Sequence, residues 1–80
     1  MIIELKGLEI AIDTANTVGG SNHVRVLNNT ASAVLATIAN TTANTASLTL
    51  SGGESVILKK DPTDTVQGTG CEAVGVSIFG

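Results

Sequence analysis

Residues 23–28 read His-Val-Arg-Val-Leu-Asn, a short stretch in which apolar and polar side chains largely alternate. In an extended chain, successive side chains point to opposite faces, so Val24 and Val26 share one face. Valine also favours strands over helices. The stretch therefore predicts a β-strand with one face turned toward a core.

The same period of two recurs along most of the chain. Intervening segments are rich in Gly, Asn, Ser and Thr, which favour turns, and helix-forming patterns are weak throughout. We therefore predict an all-β fold in one domain over residues 1–80: a small antiparallel β-sandwich or partly open barrel of six or seven short strands. The residues expected to face inward are Val24, Val26, Val34, Ala36, Ile38, Leu48, Leu50, Val56, Leu58, Val74, Val76 and Ile78.

Near the start of the chain, the alternation changes phase. Ile3 and Leu5 share one face, and a second run from Leu8 to Ile12 has its apolar residues one position out of step with the first. Such a shift, at Lys6-Gly7, is typical of a β-bulge or a kink carried by glycine.

The segment Ser51-Gly52-Gly53 predicts a hairpin turn. A three-residue loop with a left-handed glycine would place Leu48 opposite Val56 on one apolar face. A two-residue Gly-Gly loop would set Leu48 against Ile57, with poorer agreement. The longer loop is the preferred interpretation.

The segment at residues 59–66, Lys-Lys-Asp-Pro-Thr-Asp-Thr-Val, predicts a strand end followed by a single helical or turn segment. Asp61 suits a helix N-cap, Pro62 the first helical position, and Asp64 a favoured acidic position in the first turn. The lysines precede the acids, unlike a P-loop, and the acidic spacing differs from that of an EF-hand. We interpret the segment as structural, like Gly52 and Gly53.

Composition indicates a thin core and an acidic surface. Phe79 is the only aromatic residue, the net charge is −3, and Cys71 has no cysteine partner for a disulfide. A chain of this size buries only roughly 60% of its unfolded surface, so we expect stabilisation by oligomerisation or by docking on a larger body.

The net negative charge argues against nucleic acid as a partner. The absence of a signal-peptide pattern and of a long apolar run predicts a soluble product of the cytoplasm with no membrane partner.

Apolar residues also occupy the opposite parity of the predicted strands. A sheet face turned to water seldom carries several large apolar residues. They would either return to the core through bulges or contact another subunit, and Arg25 is the best charged candidate for such a contact, with a solvated arginine as the alternative. The candidate interface residues are Arg25, Leu27, Leu35, Ile57 and Phe79.

Catalytic, cofactor and metal sites are not predicted. His23 and Cys71 could form a nucleophilic pair only with an orienting third group, and both lie near predicted strand starts. We therefore expect a protein that is not an enzyme and has no cofactor.

Residues 23–30, a Thr/Asn-rich hairpin, residues 47–59 and residues 60–66 follow one another in an order that resembles small all-β virion proteins of marine tailed phages. The shared patterns are V-R-V-x-N-x-T and G-E-x-V-x-x-x-K-x-P-T-D-T, over about residues 2–79. The resemblance implies a structural component of the virion, foremost a capsid decoration or cement protein that binds the major capsid protein or itself. A neck, tail or fibre-associated virion protein and a small ligand-binding β module are the alternatives. The implied location is the virion, after synthesis in the host cytoplasm.

Overall fold

The structure, a computed structural model, describes residues 2–40 and 45–79. Within these residues there is no helix, and the prediction of an all-β fold is confirmed. The described residues form eight strands where six or seven were predicted, and two of the eight are only two or three residues long. The strands are β1 (Ile2–Leu5), β2 (Ile10–Ala11), β3 (His23–Asn28), β4 (Val34–Ala39), β5 (Thr45–Leu50), β6 (Ser55–Lys59), β7 (Thr65–Gln67) and β8 (Cys71–Phe79).

The strands form two antiparallel sheets, consistent with a small sandwich. The large sheet has the order β1-β8-β3-β6, and β2 pairs with β8 as well. The small sheet has the order β5-β4-β7. Valine-rich β3 lies inside the large sheet, where Val26 is opposite Val56 on one side and Ala73 on the other.

A bulge separates β1 from β2. Leu5 pairs with Val76 and Ile10 pairs with Ala73. Between these two pairs, the segment that joins β1 to β2 advances by five positions while β8 advances by three. The two extra residues disturb the ladder around Gly7 and Leu8, close to the predicted change of phase. Leu8 is 87% exposed and does not join Ile10 and Ile12 on the inner face as the alternation had suggested.

The core lies between the sheets and draws on both. The predicted inward residues of β3, β4, β5 and β6 are buried or pack against it, and Val18, in the connection to β3, was not anticipated. Its buried members are Ile12, Val18, Val24, Val26, Ala36, Leu50, Val66, Cys71 and Ala73.

In β8, the predicted inward face is wrong. Cys71 and Ala73 belong to the core, whereas Val74 and Val76, although only 4% exposed, lie outside that cluster. Gly75 pairs with the buried Val24 and so lies on the inner face, where a Cβ atom would collide with the Ser21 hydroxyl. The inner face of β8 therefore carries Cys71, Ala73 and Gly75, and at position 75 only glycine fits.

The predicted hairpin between β5 and β6 does not form. β5 pairs with β4, and β6 pairs with β3, so the chain changes sheets at Ser51–Glu54. The Glu54 amide donates to the Ser51 carbonyl at 2.9 Å, and Gly53 has the left-handed φ of 80° that the loop requires. A Cβ on Gly52 would lie 2.7 Å from the carbonyl carbon of Ala31. The turn thus packs against the β3–β4 connection, which turns β6 away from β5.

The segment after β6 forms a turn without a helix, so Asp61 is not a helix cap. The Asp64 amide donates to the Asp61 carbonyl at 2.9 Å, and the Asp64 carboxylate accepts the Asp61 amide at 3.1 Å. Thr65 then begins β7, which leaves no residues for a helix. Lys60 is 4% exposed beside this turn, and its amide donates to the Asn22 carbonyl at 2.7 Å, which fixes the segment to the start of β3.

Candidate interaction surface

Exposed apolar side chains concentrate at one end of the large sheet. Among the described residues, six large apolar side chains are exposed, and only Leu35 lies elsewhere. The other five belong to β1, to the second half of β8 or to the bulge. They are Ile2 (70% exposed), Leu5 (65%), Leu8 (87%), Ile78 (40%) and Phe79 (52%).

The pairing pattern explains why this end is exposed. β3 pairs with β8 only through residues 71–75, whereas β1 pairs with residues 76–79. Among the described strands, only β1 therefore borders the second half of β8. We call Ile2–Leu5 together with Val76–Phe79 the β1–β8 ribbon.

Both faces of the β1–β8 ribbon carry apolar residues. Because paired residues share a face, Ile3 and Leu5 lie on one face with Ile78 and Val76. Ile2 and Phe79 lie on the other face, which also carries Glu4 and Ser77. A two-stranded ribbon cannot cover two apolar faces with its own side chains, so this surface is suited to contact with another chain.

One ion pair lies along the outer edge of the β1–β8 ribbon. Nζ of Lys6, the residue after β1, is 2.9 Å from a carboxylate oxygen of Glu4, and both side chains are about half exposed. Because Glu4 and Lys6 are two positions apart in the extended chain, their side chains project from the same face. Along this edge strand, the negative charge of Glu4 is therefore followed by the positive charge of Lys6.

Three of the predicted interface residues lie together on the outer face of the large sheet. Arg25 is opposite Ile57 on one side and Val74 on the other, and Leu27 follows on the same face of β3. Nη1 of Arg25 is 3.4 Å from a carboxylate oxygen of Glu9, just before β2. This ion pair spans β8 at the level of Val74. The charge predicted to contact a partner is therefore balanced within the chain.

The other two predicted residues lie in separate places. Leu35 is 57% exposed on the small sheet, opposite Thr49, and Phe79 is opposite Ile2 on the β1–β8 ribbon. The prediction missed Leu5, Leu8 and Ile78 as exposed residues. The only sequence feature near these residues was the change of phase after Leu5, which indicated a bulge. It did not indicate that β1 pairs with the part of β8 that lies beyond the end of β3.

A cleft lies beside the β1–β8 ribbon. Its volume is about 430 Å³, and it lies between the bulge and the turn Val18–Ser21, with Ile10 and Gly75 also lining it. Val18, Gly19 and Gly20 all have positive φ angles, of 54°, 66° and 71°. Lys6, which is the one charged residue among the described residues that line the cleft, is already paired with Glu4. Phe79 does not line it, so a sugar would find no aromatic platform there.

His23 and Cys71 are too far apart to act as a nucleophilic pair. Asn28 lies opposite Cys71, and His23 is five residues back along β3, a separation of about 16 Å. Cys71 is 1% exposed, and burial, with a smaller effect of the Asp13 carboxylate, raises the pKa of its thiol. A buried thiol with a raised pKa is a poor nucleophile. Within residues 2–40 and 45–79, no three His, Cys, Asp or Glu side chains are grouped closely enough to hold a metal ion.

The part of the chain that the structure describes also contains no apolar helix of membrane-spanning length.

Comparison with models of protein families, with characterised proteins and with solved structures finds no significant match for the chain.

Proposed function

We propose that the chain is a structural protein without catalytic activity, and that it acts by binding other protein chains. Its place is in the virion of a tailed phage, foremost as a capsid decoration or cement protein that binds the major capsid protein or itself. The observation that carries the proposal is the β1–β8 ribbon, which exposes apolar side chains on both faces.

The size of the exposed surface supports a binding role. Full burial of a leucine, isoleucine or phenylalanine side chain contributes roughly 1.5–3 kcal/mol. Leu5, Ile78 and Phe79 are each between 40% and 65% exposed, and Ile2 and Leu8 more so. Docking of these five side chains would therefore contribute several kcal/mol before the cost of association, which suits a permanent assembly.

The sequence patterns support the choice of a virion. The strand pattern at residues 24–30 and the segment at residues 53–65 are the parts of the sequence that resemble small virion proteins of marine tailed phages. In the structure they form β3 and the continuous stretch from the Ser51–Glu54 turn through β6 to the start of β7. A neck, tail or fibre-associated position would use the same ribbon.

A ligand-binding module is the second candidate, and the 430 Å³ cleft is the observation that favours it. Its walls consist largely of glycine and aliphatic side chains. A sugar would need Phe79, outside the cleft, as its stacking surface. Binding on a glycan array that Phe79→Ala abolishes would therefore favour a ligand-binding surface on the ribbon over assembly, and glycan binding that Phe79→Ala leaves unchanged would favour the cleft.

The test of the proposal is co-sedimentation with capsid shells assembled from the major capsid protein of the same virus. We expect saturable binding by the native chain and its loss in Phe79→Asp, because a carboxylate cannot be buried without a partner. Thr14→Asp, at an exposed site away from the β1–β8 ribbon, should bind like the native chain. A folded chain that remains monomeric and does not bind the shells at any concentration would refute the proposal.

A further inference from the structure

We propose that β1 pairs with β1 of a second copy of the chain in an antiparallel, two-fold symmetric arrangement, with Leu5 opposite Leu5 of the second copy. The inference rests on the proposed function, which includes self-association, and it specifies the edge and the register. The large sheets of two copies would join into one continuous sheet.

The main-chain groups on the outer edge of β1 are available for this pairing. β1 is the last strand of its sheet, and within residues 2–40 and 45–79 no strand pairs with its outer edge. The Lys6 amide donates to the Gly75 carbonyl at 2.8 Å, so Lys6 and, by alternation, Glu4 direct their main-chain groups toward β8. The N–H and C=O groups of Ile3 and Leu5 therefore point outward.

The outward groups restrict the possible registers. Only registers that pair odd-numbered residues with odd-numbered residues bring the outward groups of two copies together. Pairing Ile3 with Leu5 of the second copy would place the two Glu4 carboxylates directly opposite each other, which is repulsive. Pairing Ile3 with Ile3 would leave each Glu4 opposite Ile2 and use no charge complementarity.

Pairing Leu5 with Leu5 is the register that the charges fit. It places Glu4 opposite Lys6 of the second copy, and Lys6 opposite Glu4 of the second copy. These are positions without mutual main-chain hydrogen bonds, where cross-strand side chains approach most closely. Each chain also contains its own 2.9 Å pair between Lys6 and Glu4. The two Glu4 and two Lys6 side chains therefore form a group of four around the two-fold axis, in which each charge has neighbours of opposite sign.

Charged residues usually protect an exposed sheet edge from pairing. Here the two charges have opposite signs and lie two positions apart, so an antiparallel copy of the same strand meets complementary charges. The opposite face gains an apolar contact, because Leu5 is 65% exposed in the single chain and would lie against its symmetry mate.

A charge swap tests the register in the full chain. Light scattering over a dilution series should show that Glu4→Lys or Lys6→Glu weakens the dimer by about tenfold or more, because each creates two like-charge pairs. The double variant carrying both changes should regain dimerisation close to that of the native chain, since opposite signs again face each other. Thr14→Asp is the control for a charge placed elsewhere, and circular dichroism verifies that every variant is folded. Failure of the double variant to recover would overturn the register.

Cross-linking gives a second, independent measurement. In a Cys71→Ala background, Leu5→Cys should form a disulfide-linked dimer under oxidised glutathione, because paired Cα atoms at such positions lie about 5.5 Å apart. Ile3→Cys is the matched control and should not cross-link, since each Ile3 would lie opposite Gly7. Cross-linking by Ile3→Cys in place of Leu5→Cys would establish another register and refute this one.

Failure of this inference can be distinguished from failure of the proposed function. A chain that is monomeric and forms neither cross-link, yet co-sediments with capsid shells, would refute the β1 pairing alone. A dimer with the expected charge-swap behaviour that never binds shells would support the pairing and count against the capsid role.

Discussion

The side-chain amide of Asn28, at the end of β3 in the large sheet, donates a 2.9 Å hydrogen bond to the carbonyl of Leu50, at the end of β5 in the small sheet. Asn28 is fully buried, and its amide also lies 2.7 Å from the Ser32 carbonyl and 3.2 Å from the Ser51 carbonyl. Its side-chain oxygen accepts the Thr30 amide and hydroxyl. One side chain thus joins both sheets and the loops between them.

Asn28→Ala should reduce the free energy of unfolding by about 2–4 kcal/mol, measured by urea denaturation. The substitution removes the side-chain donor from the buried contact with the Leu50 carbonyl and the acceptor of the Thr30 amide, and unsatisfied buried polar groups cost more than the mean worth of a hydrogen bond. Asn29→Ala is the control and should cost less than about 1 kcal/mol, because its 2.8 Å bond to Glu72 is exposed. Equal losses in the two variants would contradict the role given to Asn28.

Gly52→Ala should also destabilise the fold, for a steric reason. The added methyl would lie 2.7–2.9 Å from main-chain atoms of Thr30 and Ala31, which cannot move as a side-chain end can. We expect a loss of about 1–3 kcal/mol or more in the same denaturation measurement. Gly7→Ala provides the comparison, because no atom lies within 4 Å of its added methyl, and it should be close to neutral.

The strands with strong local patterns could be predicted, and the connections between them could not. The alternation in β3 and β4 identified both the strands and their buried faces, because each is covered on one side by the opposite sheet. The change of sheets at Ser51–Glu54 depends on contact between Gly52 and the distant Thr30–Ala31 segment. No pattern around residues 48–58 records that contact, so a local hairpin was the wrong inference.

The candidate site was only partly predictable for a related reason. Leu27, Leu35 and Ile57 are on outward faces because strict alternation places them there. In β8, Val74 and Val76 suggested the inner face, but Cys71, Ala73 and Gly75 occupy it, and the Ser21 side chain lies so close to Gly75 that a Cβ atom there would collide with it. The exposure of Leu5 and Ile78 depends on where β3 ends relative to β8, which only the three-dimensional pairing determines.

The stability of the protein should fall relative to Cys71→Ala as the pH rises above 9.0. The Cys71 thiol has a folded-state pKa above its ordinary value of 9.0, because burial, with a smaller contribution from Asp13, disfavours the thiolate. Above pH 9.0 the unfolded chain releases this proton while the folded chain keeps it, so the free energy of unfolding decreases until the folded pKa is reached. Denaturation at pH 7, 8, 9 and 10 measures the difference between the two proteins.

Lys60 acts in the opposite direction, and the comparison removes its effect. Burial lowers the pKa of its ammonium group, with Asp64 and Asp61 opposing that change. Because the unfolded chain then binds more protons between the lowered pKa and 10.5, this residue makes stability rise with pH in that interval. It is present in both proteins and cancels in their difference. A difference that is constant from pH 7 to 10 would show that the folded-state pKa of Cys71 is not raised.

Leu35→Asp tests whether the small sheet adds a second contact surface to the β1–β8 ribbon. Leu35 is 57% exposed and lies on the outward face of β4 with Thr37, which is half-buried beside it. If this face is covered in the particle, Leu35→Asp should weaken co-sedimentation with capsid shells by about tenfold or more, because a carboxylate placed in an apolar contact loses its hydration. Thr37→Asp should have a smaller effect, since its polar side chain gains little from such a contact. Equal binding by both variants and the native chain would restrict the contact surface to the β1–β8 ribbon.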